Sequence, residues 1–104
     1  MLYLLYLEDD PAVSKKIRAE KLEAHLAYLA EHRDIILLGG AMLDDDGVTR
    51  VGSAFVVNVA NRRQAESFSE NEPFRRAGLY ASVRIRRMRR AQWRPEIAPS
   101  TPDG

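Results

Sequence analysis

His25 and Glu72 are two side chains whose types together could move a proton. His25 lies in Lys21-Leu22-Glu23-Ala24-His25-Leu26-Ala27-Tyr28-Leu29, and Glu72 opens the tripeptide Glu72-Pro73-Phe74. An imidazole titrates near neutral pH, so it can both take and give a proton. A carboxylate held against one ring nitrogen fixes the tautomer and leaves the other nitrogen to react. Pro73 would limit the backbone at Glu72 and keep the carboxylate placed. Each residue also has a plainer reading. His25 could be a packed helix-shoulder histidine, and Glu72-Pro73 a helix-ending loop whose Phe74 plugs the core.

Other chemistries find less support. His25 and His32 are two helical turns apart, about 10 Å along the axis, too far for one ion to bridge unaided. There is no cysteine, so disulfides, thiolate metal sites and cysteine nucleophiles are excluded. No serine sits in a G-x-S-x-G elbow, and Gly39-Gly40 is not followed by Lys-Ser/Thr. No metal or cofactor is expected. The arginines Arg84, Arg86, Arg87, Arg89 and Arg90, followed by Trp93, form a second cluster. Such a run can be a nucleic-acid footprint or the charged end of an edge strand. A net charge of only +1 favours the edge strand, and nucleic-acid binding is not expected. The same arginines could draw an anionic small molecule toward a nearby cleft.

The elements that must position His25 and Glu72 follow from periodicity. Residues 2–7 alternate tyrosine and leucine and are apolar throughout, which predicts a central strand buried on both faces. Asp10 as cap and Pro11 at the first helical position predict a helix from about Pro11 to His32. Ala19, Leu22, Leu26 and Leu29 form its apolar stripe. His25 falls about 60° from Leu22 on the wheel, on the shoulder of that stripe. Residues 34–43 predict a second strand, whose Gly39-Gly40 suggests a bulge or close backbone approach. Asp44-Asp45-Asp46-Gly47 is a hairpin turn, and Val48–Val59 the returning third strand. Asn61 caps a short helix to about Ser69, which Pro73 breaks or restarts. Within Ala77–Met88 a fourth strand turns Val83 and Ile85 to one side and Ser82, Arg84 and Arg86 to the other.

Strand–helix–strand–strand–helix–strand is the ferredoxin-like βαββαβ order, an α+β fold with a four-stranded antiparallel sheet. Helices would cover one sheet face only, so a second copy of the chain is expected on the other. With 104 residues the chain is one domain, read as residues 1–91 with a flexible C-terminal tail at 92–104 rich in proline. Residues 1–52 carry six Lys/Arg and ten Asp/Glu, whereas residues 53–104 carry ten Arg and five Asp/Glu. This asymmetry suits an anionic partner or two faces that attract in a homodimer. The apolar N-terminus lacks a basic flank and meets Glu8, which fits neither a signal peptide nor a membrane span. A cytoplasmic location is expected.

Four stretches carry a family resemblance. Met1-Leu2-Tyr3-Leu4-Leu5-Tyr6, Ala24-His25-Leu26-Ala27-Tyr28-Leu29, Leu38-Gly39-Gly40 and Asn71-Glu72-Pro73-Phe74-Arg75-Arg76-Ala77-Gly78-Leu79-Tyr80 resemble the YciI-like (YCII-related) proteins in order and spacing. The resemblance covers about residues 1–88. It implies a dimeric α/β barrel of ferredoxin-like protomers with a His–Asp pair in a cleft. The histidine falls on His25. The aspartate falls on Glu72, one methylene longer. Gly40-Ala41 stands where many relatives have Gly-Pro. Some relatives act on ring compounds by dehydrochlorination or isomerisation.

Two functions remain in view. One is a cofactor-independent, lyase- or isomerase-like acid/base enzyme using His25 and Glu72 on a small aromatic or enolisable substrate. Tyr3, Tyr6 and Phe74 would then line its apolar walls. The other is a non-catalytic dimeric module that holds a small anionic or aromatic ligand.

Overall fold

A computed structural model describes residues 1–104. The elements are β1 (Leu2–Asp9), α1 (Ser14–Glu31), β2 (Ile36–Leu43), β3 (Arg50–Asn58), α2 (Arg62–Glu70), α3 (Pro73–Arg76) and β4 (Tyr80–Met88). The strands form one antiparallel sheet in the order β2-β3-β1-β4. This is the ferredoxin-like α+β arrangement that the element order predicts. β1 is central, paired along its length to β3 on one side and β4 on the other.

The burial of β1 within one protomer is one-sided. Its side chains alternate: Tyr3, Leu5, Leu7 and Asp9 are buried, whereas Tyr6 and Glu8 are exposed. The run is therefore covered on one face within the protomer, because both helical layers lie on the same side of the sheet. On the covered side, Tyr3, Leu5 and Leu7 pack with Phe55, Val57 and Phe68. Val83 and Ile85 of β4 join them from the edge. A second cluster, Ile17, Phe74 and Leu79, ties α1 to α3 and the start of β4. On the open side, Leu4 and Tyr6 stand beside Val56 and Ala54 on β3 and beside Arg86 and Arg84 on β4.

Helix α1 departs from the sequence reading in two ways. It begins at Ser14, not at Pro11. Asp10 instead closes a tight turn, its Oδ1 accepting from the Ala12 amide at 2.9 Å. The apolar stripe is also not the buried one. Leu22 and Leu26 are 46% and 55% exposed, while the residues of α1 that are buried are Ile17 and His25. His25 is thus on the inward face rather than its shoulder. A polar ring can take that place because its hydrogen bond and a stacking surface are both provided there.

The turns are as the residue types predict. Gly47 adopts φ 73° in the β2–β3 turn, where a side chain would be strained. Asn61 caps α2, its Oδ1 accepting from the Gln64 amide at 2.9 Å. Pro73 restarts the chain as α3. Residues 89–104 are exposed and add nothing to the core. No helix is long and apolar enough to cross a membrane.

Gly39 meets the expectation of a close approach, with a break in register between Ile36 and Leu38 beside it. A Cβ at Gly39 would lie 2.5 Å from Phe55 Cδ1, and Phe55 is fixed in the core. Gly39→Ala should therefore cost about 1–3 kcal/mol through overpacking. Urea denaturation of the two proteins checks this, with a lowered midpoint and an unchanged slope expected.

Candidate active site

Glu72 owes its position to Pro73. The residue before a proline is held in extended conformation, and Glu72 has φ −70° and ψ 132°. It is also the N-cap of α3, where Oε2 accepts from the Arg75 amide at 3.1 Å. That bond uses one carboxylate oxygen. The other, Oε1, is hydrogen-bonded to Nδ1 of His25. The extra methylene of glutamate is thereby accommodated, since the side chain folds back to cap its own helix and still meets the imidazole. Glu72 is 2% exposed and His25 9%, so the pair is nearly sealed from solvent.

This contact decides the imidazole's orientation. An ionised carboxylate only accepts, so Nδ1 carries the hydrogen, and Nε2 of the neutral ring is an acceptor. Nε2 has no protein partner. No sealed side-chain nitrogen or oxygen in the protein lacks a partner, so Nε2 reaches open space. The ring is further fixed by Phe74, stacked at a centroid distance of 3.9 Å and 14° between planes. Second contacts that lock a reactive group are what a proton-transfer site needs.

The open space is a cleft of about 470 Å³ between α1 and the β2–β3 half of the sheet. Leu26, Leu29 and Ala30 line it from α1, and Ile36, Gly39 and Phe55 from the strands. Leu26 of the apolar stripe therefore walls a cleft instead of filling the core, and Leu29 does both. Gly39 leaves the opposite wall without a side chain.

Two polar residues that the sequence reading did not single out, Arg18 and Ser53, line the cleft, and Asp9, Ser14 and Tyr80 brace them from behind. Arg18 places Nε at 2.8 Å from Asp9 Oδ2 and Nη2 at 3.0 Å from Asp9 Oδ1. Nη2 also donates to the Gly52 carbonyl at 2.9 Å and to Ser53 Oγ at 3.3 Å. Tyr80 donates its hydroxyl to Ser53 Oγ at 2.9 Å, and Ser14 donates to Asp9 Oδ2 at 2.7 Å. The alternation of β1 carries a signal for this network. If Tyr3, Leu5 and Leu7 face the core, so does Asp9, and a buried acid needs a cationic partner. Nothing in the spacing names that partner as Arg18.

The other expected wall residues are elsewhere. Tyr3 is a core residue, and Tyr6 lies on the open sheet face. Of the three, Phe74 alone adjoins the pair. His32 turns Nδ1 to the Tyr28 carbonyl at 2.8 Å and stacks on the Tyr28 ring, two turns from His25. None of the arginines from Arg84 to Arg90 lines the cleft.

Burial shapes the phenols around the pair. Tyr28 donates to the Phe68 carbonyl, and its hydroxyl is pushed up from its ordinary value by burial, then by the Glu72 and Glu31 carboxylates. Tyr80 is pushed up to about 12, mainly by burial. The Ser53 bond and the Arg18 charge oppose the shift, and Glu72 and Asp9 add to it. A folded-state value above the unfolded one means that Tyr80 stabilises the fold fully below about pH 10. That contribution is lost as pH rises through about 12. Denaturation curves across this window should show the loss, and Tyr80→Phe should remove that part of it.

No curated protein sequence matches the chain. Among solved structures, the fold is similar to 5-chloro-2-hydroxyhydroquinone dehydrochlorinase from Burkholderia phenoliruptrix AC1100 in complex with 2,5-dihydroxybenzoquinone. The TM-score is 0.78 at 33% sequence identity, covering 88% of this chain and 96% of the other. The model of the YCII-related domain matches residues 1–89, nearly all of the folded part. The chain therefore belongs to the YCII-related domain family.

Proposed function

We propose that the protein is a cofactor-independent acid/base enzyme, lyase- or isomerase-like, acting on a small aromatic or enolisable substrate. The observation that carries this reading is the asymmetry of His25. Its Nδ1 is held by a buried carboxylate, while its Nε2 is free and opens on an apolar-walled cleft. Nε2 takes a proton from a ring hydroxyl or an acidic carbon, and Glu72 balances the charge on the imidazolium formed. The electron pair left behind moves into the ring system. In an isomerisation the proton is returned at a different atom. In an elimination a substituent departs with its bonding pair. The similar dehydrochlorinase supports the second outcome and a ring substrate.

The test uses 5-chloro-2-hydroxyhydroquinone for chloride release and 2,5-dihydroxybenzoquinone for exchange of ring hydrogens with deuterated solvent. His25→Ala should lose about 10²–10⁴-fold in rate. Glu72→Gln, which preserves shape, should lose less and change the pH profile. A wild-type protein inactive in both assays, or one matched by His25→Ala, overturns the reading.

We also propose that the protein works as a homodimer whose subunits meet through their open sheet faces. Leu38 is 70% exposed and Tyr6 42%, on the face that the helices leave uncovered. Paired sheets are the usual cover for such a face. Sedimentation should give a dimer, and Tyr6→Glu with Leu38→Glu should shift it toward monomer. A monomeric wild type overturns this proposal.

A further inference from the structure

We propose that Arg18 is the anion-binding residue of the cleft, and that the ligand is a small ring compound bearing a negatively charged oxygen. This rests on the proton-transfer reading for the location of the ligand, and it adds which chemical class is held there.

The guanidinium is committed on one side only. Nε and Nη2 are occupied by Asp9, the Gly52 carbonyl and Ser53 Oγ. Nη1, with two N–H donors, has no protein partner. Since no sealed polar side-chain atom in the protein is unpartnered, Nη1 opens outward, and Arg18 lines the cleft. The side chain is only 10% exposed, so these donors act where water screens them poorly. Asp9 fixes the fork in place, so little rotamer freedom is lost on binding. Charge-assisted bonds from such a fork suit a phenolate or carboxylate oxygen.

The surroundings have the same sign. Asp9 neutralises Arg18, but Arg33 and Arg50 also line the cleft, and neither is ion-paired. No aspartate or glutamate lines it. The net field therefore attracts an anion.

The geometry further separates binding from chemistry. Arg18 and His25 are seven residues apart on α1, two turns along one face and about 10 Å between backbones. Phe74 fills the gap, stacked on His25 and lying under Arg18 with the guanidinium carbon 5.3 Å from the ring centroid. Arg18 and His25 thus address different edges of one ligand. The anionic oxygen anchors at Arg18, and the proton is exchanged at the other edge.

The test reads binding without turnover, so an inactive His25 leaves it intact. 4-Nitrophenol reports its own ionisation by absorbance, and benzoate and benzamide compete as charged and neutral rings of one shape. Wild-type protein should raise the ionised fraction of 4-nitrophenol. Benzoate should displace it about tenfold or more better than benzamide. His25→Ala should keep that preference, and the Arg33→Gln/Arg50→Gln variant should reduce but not abolish it; its abolition there would overturn the proposal. Asp9→Asn/Arg18→Gln, which removes both buried charges together, should abolish the preference. Arg18→Lys, which keeps a cation at Asp9 but loses the second fork, should do the same. A preference that survives in either Arg18 variant overturns the proposal, as does a wild type that binds both competitors alike or neither.

Discussion

The buried carboxylate of Glu72 is the constraint on which the site depends. At 2% exposure it must have its oxygens satisfied, and the fold meets that need from two directions. One oxygen caps α3 and the other holds His25 on α1. Two helices distant in sequence are thereby joined around a single charge, with Phe74 stacked between carboxylate loop and imidazole. Removing one partner of such a hydrogen bond leaves a buried polar group unsatisfied, at a cost of about 1–3 kcal/mol. Against a total stability of about 5–15 kcal/mol, that is a large share. Holding His25 in one tautomer and one plane is therefore inseparable from holding the helical layer together.

Anchoring α1 to α3 also explains the cleft. The helix is drawn toward the β4 side by Ile17, Phe74 and Leu79 and by the Glu72 contact. Over β2 and β3 the helical layer is correspondingly open, and Leu26 faces space while Leu29 packs on the core at the cleft's edge. Gly39 deepens that space, since it adds no side chain to the strand wall. The floor is closed by the Asp9–Arg18 pair, which Ser53, Tyr80 and Ser14 brace with hydrogen bonds. Apolar walls with a few fixed polar groups are the usual make-up of a small-molecule site.

The sequence was legible where the physics is local. Asn61 and Gly47 announce a cap and a turn because side-chain oxygens and positive φ are properties of single residues. Pro73 places Glu72 in extended conformation for the same reason. The alternation of Val83 and Ile85 with Arg84 and Arg86 sorts β4 into two faces. The stripe of α1 misled because hydrophobic periodicity marks an apolar face without saying what it meets. Leu22 and Leu26 lie on the apolar stripe, yet the inward place belongs to His25.

By itself, then, the sequence determined the order of elements, the antiparallel ferredoxin-like sheet and the two residues His25 and Glu72. Each follows from short-range sterics, hydrophobic period or residue chemistry. Only the tertiary structure decided that these two side chains meet, that Nε2 is the free nitrogen, and that Arg18 and Ser53, held by Asp9 and Tyr80, line the same cleft. Those facts depend on how α1 settles between α3 and the sheet. That settling is fixed by the need to satisfy buried charges across long stretches of chain, which no local pattern records.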